Sequence, residues 1–184
     1  MKIIGIASSP RKGANSQTLV EHVLSGAEKA GAKTELVRLS DLDIKPCIGC
    51  GGCKKGNGCV QKDDFAGLVG KLETADAVVF GSPVYFGRLN AQAYPFMDRC
   101  YSLLKSDFST DFPKGKKFAF ALTCGGMGAE AVNPVNEYVK HIFSFLGFAD
   151  AGFVWQNQCF APDDLTKFTD TIQKAESLGT SLVK

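Results

Sequence analysis

Four of the seven cysteines in this 184-residue chain lie in one short segment. They are Cys47, Cys50, Cys53 and Cys59, spaced C-x2-C-x2-C-x5-C. Four thiolates can hold a [4Fe–4S] cluster, and the cysteine run of bacterial ferredoxins begins with the same spacing. Structural zinc more often takes two separated ligand pairs, although zinc, a disulfide or free thiols stay open here. The spacing favours a cluster with these four cysteines as metal ligands.

The loop SSPRKGANSQT, from Ser8 to Thr18, carries the side chains of an anion site. It runs into a predicted helix that Ser16 opens, and the first N–H groups of a helix are free to bind an anion. Hydroxyls and amides add neutral donors, and Arg11 adds a positive charge. The loop contains neither GxxxxGK[ST] nor GxGxxG, so a monophosphate suits it better than a triphosphate or a pyrophosphate. Without a ligand, Ser16 would be only a helix cap.

Two further loops could hold a flat ring. In SPVYFG, the adjacent aromatic residues Tyr85 and Phe86 could flank it. In TCGGMG, which begins at Thr123, Gly125 and Gly126 let the backbone approach a ligand closely. Each loop alone has an ordinary explanation, as aromatic cover for the core or as a simple turn. Together with the first loop they form one consistent site, because FMN has both a single phosphate and a flat ring.

The elements that must position these loops alternate along the chain as strand and helix. The predicted strands are 1–7, 33–39, 77–80, 117–123 and 148–155, and helical patterns follow each of them, the last three at 90–104, 134–146 and 163–182. This order predicts one domain, 1–184, with the flavodoxin-like α/β/α sandwich and a five-stranded parallel sheet in the order 2-1-3-4-5. Segment 42–63 holds the four cysteines and shows neither helical nor strand periodicity, so it is predicted as a long loop.

The three candidate loops follow the first, third and fourth predicted strands. In an open parallel sheet, ligands bind outside the carboxyl ends of the strands, where the strand order reverses. We therefore expect the three loops to meet at one site.

The composition excludes several classes of partner. The net charge is +2, which is too small to indicate nucleic acid or an anionic membrane surface. No apolar run approaches the roughly 20 residues that span a bilayer. The first residues predict a buried strand and not a signal peptide, and the odd number of cysteines argues against a secreted disulfide scaffold. These features predict a cytoplasmic protein.

The pairing of SSPRKGANSQT with SPVYFG resembles the NADPH-dependent FMN reductase family, with Ala7 in place of a glycine of the family pattern. The resemblance implies FMN as cofactor and an oxidoreductase in which the flavin, and no catalytic side chain, carries the chemistry. It implies that the phosphate and ribityl chain are held by Ser8, Arg11, Asn15, Ser16, Gln17 and Thr18. It implies that the isoalloxazine ring is met by Pro83, Val84, Tyr85, Phe86 and Gly87. It also implies a homodimer or homotetramer.

The cysteine segment resembles that of the iron–sulfur flavoproteins, a branch of the same family. That resemblance implies electron transfer between one [4Fe–4S] cluster and FMN, with a ferredoxin-like protein or a small molecule as the other partner. An NAD(P)H-dependent FMN or quinone reductase without a cluster is the first alternative. A binding module without redox activity is the second.

Overall fold

The computed structural model describes residues 1–56 and 58–184, so that residue 57, inside the predicted cysteine loop, lies outside the described residues. The strands are β1 Lys2–Ala7, β2 Lys33–Arg38, β3 Ala77–Tyr85, β4 Arg88–Leu89, β5 Lys117–Thr123 and β6 Ala149–Gln156. The helices are α1 Asn15–Lys29, α2 Phe65–Thr74, α3 Ala93–Arg99, α4 Ala129–Phe145 and α5 Thr169–Leu182. Short 3-10 turns cover Gly52–Lys55, Cys100–Leu103 and Asp164–Lys167.

The sheet is parallel in the order β2-β1-β3-β5-β6. The central strands β1, β3 and β5 are buried on both faces, as in a parallel sheet between helices, whereas the edge strands β2 and β6 are partly exposed. The predicted α/β sandwich and strand order are confirmed, apart from one strand that was not predicted. This strand, β4, has two residues and pairs antiparallel with the end of β3.

Two hydrophobic clusters occupy the two faces of the sheet. One contains apolar residues of α2, α3 and α4, and the other those of α1 and α5. The backbones of α1 and α5 approach each other closely, since a Cβ added at Gly26 would lie 1.9 Å from the Glu176 carbonyl oxygen. A Cβ at Gly179 would lie 1.8 Å from the Val23 carbonyl oxygen. The second half of α1 therefore packs so closely on α5 that neither glycine position would accept a larger residue.

Several predicted boundaries were wrong. Strand β3 runs to Tyr85 instead of ending at 80, because Gly81–Pro83 continue to pair with β5. Helix α3 ends at Arg99 and passes into a 3-10 turn, so that the predicted helix 90–104 was too long. Helix α4 starts at Ala129, before Pro134, because Val132 is buried and holds the preceding turn on the sheet.

In the part of the chain that the structure describes, none of the helices combines the length and the apolar character needed to cross a bilayer.

Candidate functional site

A cleft of about 290 Å³ opens at the carboxyl edge of the sheet. Its wall comes from the loop after β1, the end of β3, the loop after β5 and the loop after β6. The predicted residues on this wall are Arg11, Asn15, Ser16, Pro83, Val84, Tyr85, Thr123 and Gly125. The structure therefore brings the three predicted loops together. The other predicted residues, namely Ser8, Gln17, Thr18, Phe86, Gly87 and Gly126, do not line the cleft.

The N-terminus of α1 faces this cleft without a side-chain cap. The residue at the N-cap position is Ala14, which cannot accept a hydrogen bond from the first helical N–H groups. Ser16 is 1% exposed, and its Oγ has no hydrogen-bond partner in the described residues. A buried hydroxyl normally has a partner, because leaving it unpaired costs free energy. The cleft thus holds free amides and one unpaired hydroxyl at the positive end of a helix dipole.

Arg11 is an exposed residue on the same wall and adds a positive charge. No carboxylate of the described residues lies within ion-pair distance of its guanidinium. Its charge is therefore available to an anion in the cleft.

The side chain of Asn15 forms hydrogen bonds within the protein. Its Nδ2 donates to the Ala161 carbonyl oxygen at 2.6 Å, and its Oδ1 accepts from the Leu165 amide at 2.9 Å. It therefore ties the start of α1 to the loop after β6. The side chain of Gln17 also folds back, since its Oε1 accepts from the Gly13 amide at 3.0 Å. Both side chains shape the loop through hydrogen bonds within the protein, and of the two only Asn15 also lines the cleft.

Ser8 belongs to a buried network under the cleft. Its Oγ donates to the carbonyl oxygen of Gly81 at 3.0 Å and lies 2.5 Å from Asn90 Oδ1. Asn90 Nδ2 donates to the Ser8 carbonyl oxygen at 2.7 Å, and Ser82 Oγ lies 2.9 Å from Asn90 Oδ1. This network fixes the end of β1 against β3. Asn90 was not predicted as a site residue, because its partner Ser8 lies 82 residues away in sequence.

Phe86 and Gly87 form the two-residue turn between β3 and β4. Both have left-handed backbone, with φ of 52° and 69°. This pairing of residues with positive φ is typical of the tight hairpin turns that suit twisted strands. The Phe86 side chain is 96% exposed, so that it stands out from the protein beside the half-exposed Tyr85.

The loop after β6 forms a fourth part of the wall, which the sequence analysis missed. It contributes Cys159, Phe160 and Pro162. Phe160 lies so close to Gly125 that a Cβ added there would be 2.9 Å from its ring. The strand order could have indicated that this loop lines the cleft, because the carboxyl end of every parallel strand lies at the same edge of the sheet. Ser9, Ala14 and Cys124 on the wall were also not predicted as site residues.

The two thiols of the cleft are poor nucleophiles. Burial raises the pKa of Cys159 to about 12, with a smaller effect of Cys124. Burial also raises the pKa of Cys124. Both therefore remain neutral thiols near pH 7, and thiolate chemistry is not available to them there. The cleft offers neutral donors and one arginine to a ligand.

The cysteine loop is exposed at its tip and tied at its base. Cys47 and Cys50 are exposed, whereas Cys53 and Cys59 are half-buried, and all seven cysteines are free thiols. At the base, the Asp43 amide donates to Asp64 Oδ2 at 2.8 Å, and the Lys45 amide donates to Asp63 Oδ2 at 3.0 Å. Asp63 also accepts a hydrogen bond from the amide of Phe65, the first residue of α2.

The structure does not gather the four cysteines. Among the described residues, no three Cys, His, Asp or Glu side chains converge on a point that could hold a metal ion. The donor set itself suits an iron–sulfur cluster, because it supplies four free thiols in a glycine-rich segment. Two of these glycines, Gly51 and Gly56, have left-handed backbone on either side of the turn that carries Cys53. The four thiols therefore suit a [4Fe–4S] cluster chemically. In the structure, however, they do not gather at one point.

Several curated relatives of this chain are iron–sulfur flavoproteins. Over 99 residues, the chain is 42% identical to an iron–sulfur flavoprotein of Methanocaldococcus jannaschii. This match covers 54% of this chain and 51% of that protein. Over 159 residues, it is 29% identical to an iron–sulfur flavoprotein of Methanosarcina thermophila. This second match covers 84% of this chain and 83% of that protein. The chain spans about half the length of several of the curated relatives that it matches.

A solved structure shares the fold. An FMN-dependent NADH-azoreductase from Bacillus anthracis, crystallised in complex with FMN, superimposes with a TM-score of 0.76 over the full length of both chains at 16% identity. The family model of the NADPH-dependent FMN reductases matches residues 1–155, which include every strand but the last residue of β6. The chain belongs to the NADPH-dependent FMN reductase family.

Proposed function

We propose that this chain is an FMN-dependent oxidoreductase that binds one FMN in the cleft at the start of α1. The observation that carries the proposal is the unpaired, buried Ser16 hydroxyl beside the uncapped helix N-terminus. A phosphate would satisfy both, since it accepts hydrogen bonds and its negative charge is stabilised by the helix dipole. Membership of the FMN reductase family supports the same ligand.

The remaining wall residues suit the rest of the cofactor. Tyr85 and Phe160 supply aromatic surface for a flat ring, and Gly125 supplies backbone that a ring can approach closely. When bound, FMN accepts electrons from a donor such as NAD(P)H and passes them on singly or in pairs. The protein contributes binding and orientation, which agrees with the absence of an activated thiol in the cleft.

A fluorescence titration tests this function. The purified protein is expected to quench the fluorescence of added FMN with a stoichiometry of one per chain. NADPH or NADH is then expected to bleach the bound flavin under anaerobic conditions. A protein that takes up no FMN would overturn the proposal.

We further propose that the cysteine loop holds a [4Fe–4S] cluster with Cys47, Cys50, Cys53 and Cys59 as ligands. The spacing, the free thiols and the names of the curated relatives support it. A cluster exchanges one electron at a time, which would let the protein connect a one-electron carrier to a flavin.

The second candidate function is an NAD(P)H-dependent FMN or quinone reductase without a cluster. The observation that favours it is that the described cysteines do not converge on a metal-binding point. Iron and acid-labile sulfide, quantified in protein purified without oxygen, separate the two. Four irons per chain would support the cluster, and Cys50→Ala should then remove them while FMN stays bound. Cys100→Ala, a buried cysteine outside the loop, is the matched control. Wild-type protein without iron would support the second candidate.

We also propose a homo-oligomer in the cytoplasm. The exposed Phe86 and Tyr85 beside the cleft suit a subunit contact, and seven free thiols suit a reducing compartment. Sedimentation of Phe86→Asn against wild type tests the contact, which predicts a shift toward the monomer.

A further inference from the structure

A buried ion pair lies at the base of the cysteine loop. Arg99, the last residue of α3, is 1% exposed, and the side chain of Asp63 is fully buried. Arg99 Nη1 donates to Asp63 Oδ2 and, at 3.3 Å, to the Lys45 carbonyl oxygen. A buried arginine is costly unless its charge and its donors are satisfied. Its position therefore calls for a reason beyond packing.

The pair joins the two ends of the loop. Asp63 follows Cys59, the last cysteine of the loop, and Lys45 precedes Cys47, the first. The carboxylate of Asp63 accepts a hydrogen bond from the Lys45 amide. Arg99 binds both of these residues and packs over the ring of Phe65 with its guanidinium carbon 4.4 Å from the ring centre. One guanidinium thus fixes both ends of the segment that carries the cysteines.

Two donors of Arg99 remain unused. Its Nε and Nη2 are buried and have no hydrogen-bond partner in the described residues. Cys59 is half-buried and packs against the hydrophobic cluster that contains Phe65, over whose ring the guanidinium lies. An arginine with free N–H groups on this side of the core is suited to donate to a thiolate there, with a bond stronger than one between neutral groups.

We propose that Arg99 is a positioning residue for the cysteine loop, holding its two ends through Asp63 and Lys45 and donating a hydrogen bond to Cys59 as a thiolate ligand. The assignment rests on the proposed cluster. A hydrogen bond at a ligand sulfur stabilises the more negative, reduced state of an iron–sulfur cluster, and so raises its reduction potential, whereas the charge of Arg99 is balanced by that of Asp63.

The test compares variants of the protein purified with its cluster. Arg99→Gln with Asp63→Asn removes both charges together, so that no lone charge stays buried. Its cluster potential, measured by a redox titration followed by electron paramagnetic resonance, should fall, and a chelator should remove its iron several-fold faster. Arg99→Lys keeps the charge but loses the planar fork and the hydrogen bond to Cys59, so that its potential should fall as in the double variant and its iron should be released faster. Lys62→Gln, which removes an exposed charge three residues after Cys59 in sequence, is the control and should change neither.

The outcomes separate the assignment from the proposed function. Iron in the wild type, with unchanged potential and unchanged iron release in Arg99→Gln/Asp63→Asn, would overturn the role of Arg99 and leave the cluster standing. Wild-type protein without iron would overturn the cluster and the assignment with it. If the double variant does not fold, Arg99→Lys decides through its rate of iron release, where the wild-type rate overturns the assignment.

Discussion

The Leu165 amide donates a hydrogen bond to Asn15 Oδ1 at 2.9 Å, across 150 residues of sequence. Through this bond and that from Asn15 Nδ2 to Ala161, the first residue of α1 holds the loop that carries Phe160. The N-terminus of α1 and the loop after β6, which lines the cleft, are thus joined by hydrogen bonds.

We expect Asn15→Ala to lower the free energy of unfolding by about 1–3 kcal/mol, because the buried Leu165 amide loses its side-chain acceptor. FMN affinity should fall as well, since the Phe160 loop is released. Urea denaturation and a flavin titration measure the two effects. Asn15→Asp keeps the acceptor for Leu165, so that it should lose less stability, while its negative charge should still weaken binding of FMN. Equal stability of wild type and Asn15→Ala would contradict this account.

Gly179→Ala should destabilise the protein by about 1–3 kcal/mol, because the added methyl would collide with the Val23 carbonyl oxygen of α1. Thermal unfolding monitored by circular dichroism measures it. Gly67→Ala on α2 is the matched control: nothing lies within 4 Å of its added Cβ, so that alanine should stabilise by up to about 1 kcal/mol. If both substitutions had the same sign, the close helix contact would be wrong.

Much of the fold followed from the residue pattern, since apolar runs such as that of β5 are typical of buried parallel strands, and β5 was predicted at its observed bounds. The hairpin after β3 was missed because Phe86 is not a residue that favours left-handed backbone. The cleft was predicted in its three main loops. The inward role of the Asn15 side chain could not be predicted, because its partner Ala161 lies 146 residues away in sequence.

Phe86→Asn should keep or raise the stability of the monomeric fold, by up to about 1 kcal/mol. Asparagine tolerates positive φ better than phenylalanine, and the replaced ring is 96% exposed. Differential scanning fluorimetry at low protein concentration measures it. Phe86→Val is the contrasting variant and should lose stability, because a β-branched residue is strained at this φ. A marked loss in Phe86→Asn would show that the ring packs within its own chain.

The stability of the protein should depend on pH through Asp63. Hydrogen bonding from Arg99, against the opposing effect of burial, lowers the pKa of Asp63 from 3.8 to about 2. A carboxyl with a lowered pKa stabilises the native state above its unfolded pKa, and this contribution is lost as the pH falls through its folded pKa. Between pH 5 and pH 2, the free energy of unfolding of the wild type should therefore fall by about 2 kcal/mol more than that of Asp63→Asn.

Urea denaturation at each pH, without flavin, measures this difference. Asp41→Asn is the control, because Asp41 pairs with Arg38 at the surface and an exposed pair contributes little. Parallel pH curves for wild type and Asp63→Asn would show that the buried pair does not contribute in this way.

The most direct measurement of the central claim compares the affinities of FMN and riboflavin in wild type and Ser16→Ala, with Ser25→Ala in the same helix as control. Riboflavin lacks the phosphate, and a hydrogen bond to a charged group contributes about 1.5–3 kcal/mol. The account predicts that Ser16→Ala weakens FMN binding by roughly 10- to 150-fold and leaves riboflavin binding unchanged. Equal effects on both ligands, or no effect on FMN, would contradict a phosphate site at the start of α1.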